Sequence, residues 1–316
     1  MASRAYDVLT IGDMCVDLIV ALGDALPQFG QVEQWVPDYL LEMGGSTCIF
    51  ACQAAKLGLE TAILGRVGDD AFGQVILQRL QSSGVDVRYV KTQPALKTGL
   101  GLALVRDDSD RAILTYAGSL NAVYPEDITD EWLGQGGHLH YGSYYLQTNL
   151  LPAAPDIMRR AKALGLTTSL DTNWDPDDCW RGNLPQVLSS TDIFLPNEQE
   201  ALAITRASGV EQALTLLLNE VQVVAIKRGE RGALVGQGSV RHAVPVDPVL
   251  APKDTIGAGD NFDAGFLAGW LAGLPLEQCA ALGNRCGRAT TQTRGGVIGQ
   301  PLATHCPELG ENRVPR

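Results

Sequence analysis

Short apolar runs of strand type alternate with helical runs that stop at glycine for most of this chain. That alternation folds most simply into a largely parallel sheet covered by helices. The run 6–11 reads as a first strand ending at Gly12, 46–57 as a helix closed by Gly58, and 61–64 as a short strand. A helix at 72–80 is closed by Gly84, and strands follow at 138–141, 167–170, 192–195 and 221–227. Helices are expected at 154–164, 257–272 and from 276 to about 290. Two segments break the rhythm: 31–39 and 98–115 look like strands without intervening helices, the second with a turn at Asp107-Asp108-Ser109-Asp110. Strands outside the alternation predict a small separate sheet, a lid over roughly 14–43 and 97–119, inserted into a single domain spanning 1–316. The tail after Gly299 lacks periodicity and is expected to pack loosely.

Composition narrows the classes of function. The 316 residues are 45% hydrophobic, enough for a large core without disulfides. The net charge of -12 disfavours nucleic acid and anionic membranes as partners, and weakly disfavours phosphorylated substrates. Seven cysteines, an odd number with no CxxC pair, predict reduced buried thiols. His138 and His140 share one face of a strand, and with only two other histidines a structural role is expected for both. No signal-peptide pattern precedes the first strand and no uncharged apolar stretch is long enough to span a bilayer, which predicts a cytoplasmic, soluble protein.

The chemistry concentrates in Asp254-Thr255-Ile256-Gly257-Ala258-Gly259-Asp260. Behind it Phe262, Phe266, Leu267, Trp270, Leu271 and Leu274 recur at helical spacing, with small residues between them. A glycine-rich turn opening into a buried helix aims backbone N–H groups and the positive end of the helix dipole at one point. Such donors stabilise a transferring phosphoryl group. Asp260, in the first turn, is expected to be kept ionised by the dipole and able to take a proton from a hydroxyl. The competing explanation is an ordinary helix start, where glycine and acidic residues are common.

This string resembles the second motif of the ribokinase-like (PfkB-type) carbohydrate kinases, close to DTxGAGDxFxAGF, which here reads DTIGAGDNFDAGF. Asn261 and Asp263 stand where small or amide residues are usual. Further resemblances follow in the family's order. They are Gly44-Gly45 with the helix ending at Gly58, the GxVGxDxxG element at 65–73, Asp171-Thr172-Asn173, Asn197-Glu198-Gln199-Glu200, and the KxGxxG-type turn at 227–232. The resemblance implies a ribokinase-like three-layer α/β/α fold with a central, mostly parallel sheet and a small β-strand lid. It also implies ATP and Mg²⁺ as cofactors and, for some relatives, a monovalent cation such as K⁺. Asp260 would be the catalytic base, with Gly257, Ala258 and Gly259 forming the phosphoryl-binding turn.

On the nucleotide side the resemblance gives Asn197, Lys227, Gly229, Gly232 and Asn284 a role in binding ATP, and Glu200 a role in organising Mg²⁺. Each also has a plainer reading. Asn197 and Glu200 fit a capping box, Gly229 and Gly232 fit a hairpin, Lys227 fits a solvated strand end, and Asn284 fits an exposed helix position. On the substrate side the resemblance places Asp17 where hydroxyls are gripped, with Asp13 nearby and Gly44-Gly45 letting the backbone approach the sugar. Turn-forming aspartates are the alternative. Two departures stand out: Ile49 replaces an asparagine expected to bind the sugar, and Asp175 stands where arginine is frequent.

The expected activity is ATP-dependent phosphorylation of a hydroxymethyl group on a sugar or sugar-like substrate. Nucleoside kinase is the alternative, motivated by Ile49, with Trp35 or Tyr39 as an apolar slot. A non-catalytic nucleotide or sugar sensor is a third reading. No GxGxxG follows the first strand and no GxxxxGK[ST] occurs, which disfavours a dehydrogenase and a P-loop NTPase. Exposed lid edges admit a homodimer through the lid.

Overall fold

Successive residues of the first strand serve different layers: Val8 enters one core and Leu9 the other. From Val8 onward β1 (Tyr6–Ile11) is buried on both faces, with Asp7 its one exposed residue. The computed structural model describes residues 4–106, 111–180, 182–248 and 252–310. After β1 the strands are β2 (Cys15–Gly23), β3 (Asp38–Gly44), β4 (Thr61–Gly68), β5 (Asp86–Gln93), β6 (Gly99–Arg106) and β7 (Arg111–Tyr116). They continue as β8 (Gly136–Tyr141), β9 (Thr167–Leu170), β10 (Ile193–Phe194), β11 (Val223–Lys227), β12 (Ala233–Gln237) and β13 (Val240–Val244).

The larger sheet has nine strands in the order β13-β12-β11-β10-β9-β8-β1-β4-β5. Strands from β11 to β5 in that order pair in parallel, while β12 and β13 form an antiparallel edge. One face carries α1 (Ser46–Lys56), and later in the chain two long helices, Ala258–Leu271 and Leu276–Thr290, pack there beside Phe50 and Phe266. The other face is covered by helices Ala154–Ala163, Leu184–Leu188, Glu198–Thr205 and Val210–Leu217. This is the expected three-layer α/β/α arrangement. Below, Glu198–Thr205 is α3, Ala258–Leu271 is α4 and Leu276–Thr290 is α5, with α2 the helix Ala71–Ser82. Among the described residues no helix is long and apolar enough to cross a membrane. Six cysteines are buried free thiols and Cys179 is exposed. His138 and His140 are buried, share Ser169 Oγ as a partner, and are held neutral by burial, which lowers both to about 3.

The second sheet is the lid, four strands in the order β3-β2-β6-β7. Its first half differs from expectation. Residues 31–37 form no strand; β3 begins at Asp38, just beyond Pro37, and pairs along β2, which the periodicity did not reveal. Trp35 is 96% exposed, so no apolar slot is formed there, and Tyr39 is exposed as well. The segment 98–115 is two antiparallel strands, β6 and β7; the turn expected at 107–110 lies outside the described residues. The tail is better packed than its lack of periodicity implies: Cys306 and Leu309 enter the core and Gln53 donates to the Pro301 carbonyl at 2.9 Å.

The lid is tied to the main sheet at the start of α2. Asp70 caps that helix through Gly73 N at 2.8 Å and also accepts from Thr98 N at 2.9 Å and Thr98 Oγ1 at 2.7 Å, just before β6. Burial opposes ionisation there, but these hydrogen bonds outweigh it and hold Asp70 below the usual carboxylate range. Asp70→Ala is expected to cost about 1–2 kcal/mol and to loosen the lid. A thermal melt checks the first effect, and the KM for the phosphate acceptor, rising more than the KM for ATP, checks the second.

Candidate active site

The carboxyl ends of parallel strands in an open α/β sheet open onto a crevice where ligands bind. Here Asp13 follows β1, Ser143 follows β8, Asp171 and Asn173 follow β9, Asn197 follows β10 and Lys227 ends β11. Of these, Asp171, Asn173, Asn197 and Lys227, with the first turn of α4, border a cavity of about 530 Å³.

The turn into α4 is built by Gly257, whose φ of 73° is left-handed. A β-carbon there would meet Gly296 Cα at 2.9 Å and Ile49 Cδ1 at 3.0 Å. Ile49 is therefore packed beneath the turn and is 2% exposed. Asp254 accepts from Ile256 N and Gly295 N, each at 3.0 Å, so the Ile256 amide is already spent. Asn261 donates to the Gly257 and Gly296 carbonyls at 2.7 and 2.8 Å, and Gln300 donates to Asn261 Oδ1 at 2.8 Å. Asp254, Asn261 and Gln300 thus fasten the turn to the 295–300 loop, roles that no local pattern reveals. The amides of Gly257, Gly259 and Asp260 have no protein acceptor among the described residues and remain available to an anion.

Asp260 is partly buried, and its acidity differs from expectation. Burial, then the neighbouring Asp171 and Asp13, push it up to about 7; Lys227 and a hydrogen bond from Ser46 pull the other way. The helix dipole is outweighed first by burial and then by the neighbouring carboxylates. Asp17 is likewise pushed up to about 7 by burial and by Asp13, Asp254 and Glu42. It has no hydrogen-bond partner among the described residues and lies over two glycines: β-carbons at Gly44 and Gly101 would approach it to 2.5 and 2.7 Å. Asp13 is not free in that way. Its carboxylate accepts from Ser46 N at 3.0 Å, Thr47 N at 2.9 Å and Ser143 Oγ at 2.5 Å, fixing the start of α1.

On the nucleotide side, Asn197 and Glu200 form a closed capping box at the start of α3. Asn197 N and Nδ2 donate to the two Glu200 oxygens at 2.9 and 2.6 Å, and Glu200 N donates to Asn197 Oδ1 at 2.9 Å. Glu200 nevertheless borders the cavity, and burial followed by Asp171 pushes it up to about 7. Gly229 leaves open space, as a nucleotide would require, whereas Gly232 packs against the Val244 carbonyl and serves the hairpin. Asn284 is buried rather than exposed, because its amide donates to the Val244 and Pro245 carbonyls at 3.0 and 3.1 Å. Lys227 is not a solvated strand end: its side chain is 12% exposed, borders the cavity and sits between Asp171 and Asp263. Asp175 turns inward and accepts from Asp177 N, Cys179 N and Trp180 N at 2.7–3.0 Å, so this departure shapes its own loop.

An acid beside free amides, at the strand ends of an α/β sheet with a lid, suits phosphoryl transfer. Residues 6–303 match the pfkB family carbohydrate kinases, and the chain belongs to that family. It is 32% identical over 262 residues, 82% of this chain and 83% of the other, to an ATP-dependent ribose-1-phosphate kinase of Halopiger xanaduensis. Its structure resembles an adenosine kinase from Sinorhizobium meliloti (TM-score 0.81, 26% identity, 96% of this chain and 99% of that one). It also resembles a protein designated ribokinase II from E. coli, solved with ATP and Mg²⁺ (TM-score 0.84, 26% identity, 96% and 98%).

Proposed function

We propose that the protein transfers the γ-phosphoryl group of ATP to a hydroxymethyl group of a sugar or sugar-like polyol, with Asp260 taking the hydroxyl proton. The observation that carries this reading is the placement of Asp260 in the first turn of α4, beside amides with no other acceptor. A proton acceptor and an anion-binding turn then address the same reacting atoms. The amides of Gly257, Gly259 and Asp260 would hold the transferring group, and the space at Gly229 accommodates the nucleotide. Mg²⁺ suits this setting, since it is held largely by phosphates with one or two protein carboxylates; Glu200 borders the cavity and is the candidate, acting through water because Asn197 occupies its oxygens. When bound, Mg²⁺ neutralises charge on the phosphates.

Asp17 supports an acceptor rich in hydroxyls. A carboxylate without a protein partner accepts readily from several O–H groups, and Asp13, Glu42 and Asp254 around it suit an uncharged ligand better than a phosphorylated one. Asp13 acts by holding the start of α1 and, through it, the Gly44-Gly45 approach to the substrate.

The test is ADP release from ATP and Mg²⁺, with and without K⁺, against ketoses, aldoses, sugar acids, sugar phosphates and nucleosides. Turnover of an uncharged sugar is the expected result. Turnover confined to nucleosides would move the function to that class, and turnover confined to sugar phosphates would contradict the reading of Asp17.

A further inference from the structure

Asp263 stands one helical turn after Asp260 on α4, is 1% exposed, and has no part in the reaction outlined above. Its partner is Lys227. The ammonium nitrogen lies 2.5 Å from Asp171 Oδ2 and 3.0 and 2.9 Å from the two Asp263 oxygens. An ammonium has three N–H donors, and these contacts commit it to both acids while the triad stands. A β-carbon on Gly259 would lie 3.5 Å from the same nitrogen, which puts the charge directly beneath the anion-binding turn. The three side chains come from the ends of β9 and β11 and from the start of α4.

We propose that Asp171 and Asp263 hold Lys227 as a fixed counter-charge beneath the turn, making Lys227 a positioning residue that keeps Asp260 ionised and not a phosphate ligand. This rests on the reading of Asp260 as the base. The ionisable groups facing Asp260 are Asp13 after β1, Cys48 on α1, Asp171 after β9 and Lys227 on β11, the last paired with Asp263 of the same helix as Asp260. Lys227 is the cation among them. Burial alone would raise Asp171, but Lys227 and a hydrogen bond with Asp263 bring it below the usual range. Burial, reinforced by Asp171, drives Asp263 up against the pull of Lys227. Asparagine keeps the shape and an oxygen for the ammonium; leucine keeps the bulk but gives the ammonium nothing to bind.

Two readouts test this: MgADP affinity by calorimetry, which needs no acceptor, and the pH dependence of kcat/KM for the acceptor found above. Lys227→Met is expected to bind MgADP within about threefold of the natural protein and to move the acid limb up by about one pH unit, as loss of a nearby opposite charge does. Asp263→Leu should move the limb the same way by less, and Asp263→Asn should recover it. A tenfold or greater loss of MgADP affinity in Lys227→Met would make the lysine a phosphate ligand and overturn the proposal. An unmoved limb would overturn it too. If Lys227→Met does not fold, Lys227→Met/Asp263→Leu, which removes a partner acid along with the lysine, is judged by the same two criteria. Failure of every acceptor would count against the kinase reading, while the MgADP measurement would still decide what Lys227 does.

Discussion

Turnover of the Asp260→Asn variant is expected to fall by about 10²–10⁴-fold, the usual worth of a general base, with MgADP affinity unchanged within about threefold. Asparagine keeps the size of the side chain and cannot take a proton, while the Gly257, Gly259 and Asp260 amides do not depend on it. The natural protein should show kcat/KM rising with pH up to about 7, because the base must be ionised and burial with Asp171 and Asp13 holds its proton that far. Asp17 titrates in the same range, so the limb belongs to both carboxyls until a variant separates them. Asp17→Asn should weaken the acceptor KM and leave a limb; Asp260→Asn should leave residual activity without the limb of the base. Near-natural turnover in a folded Asp260→Asn protein would remove Asp260 from the chemistry.

Gly45→Ala should damage the site and the fold together. Gly45 has φ of 84°, a left-handed value, and an added β-carbon would run into the backbone carbonyl of Asp13. The oxygen belongs to the residue whose carboxylate fixes the start of α1, so neither partner can yield without moving the strand end. Left-handed strain and overpacking each cost about 1–3 kcal/mol. In a chain of this size that lowers Tm by roughly 5 °C or more. Any protein that still folds should show a raised KM for the acceptor, since Gly44-Gly45 and Asp17 border the same approach. A variant with unchanged Tm and KM would mean that the chain relaxes around the β-carbon.

Repetition was legible in the sequence and pairing was not. The strand Tyr6–Ile11 and the helix Leu276–Thr290 coincide with expectation because a strand buried on both faces, or a long helix with a buried stripe, writes its environment into local order. Lid strand β2 escaped notice because its burial mixes inward and half-exposed positions, and the 31–39 segment misled because apolar side chains there face solvent. The glycines of the turn and Asp260 could be read from one contiguous string. Gln300 could not, because it meets Asn261 from 39 residues away, and neither could the fate of Ile49, whose neighbours Gly257 and Gly296 arrive from the far end of the chain.

The sequence alone thus determined the α/β class, the glycine turn opening into a buried helix, and the acid that follows it, because each depends on residues adjacent in the chain. The tertiary structure decided what is paired, what is left open and how strongly each acid holds its proton. Asp13 is spent on a helix start while Asp17 is left open, Lys227 is held by two acids, and Asp260 is pushed up to about 7 against the helix dipole. Those outcomes depend on burial and on distances of a few ångströms between strand ends, over which electrostatic interactions change most steeply.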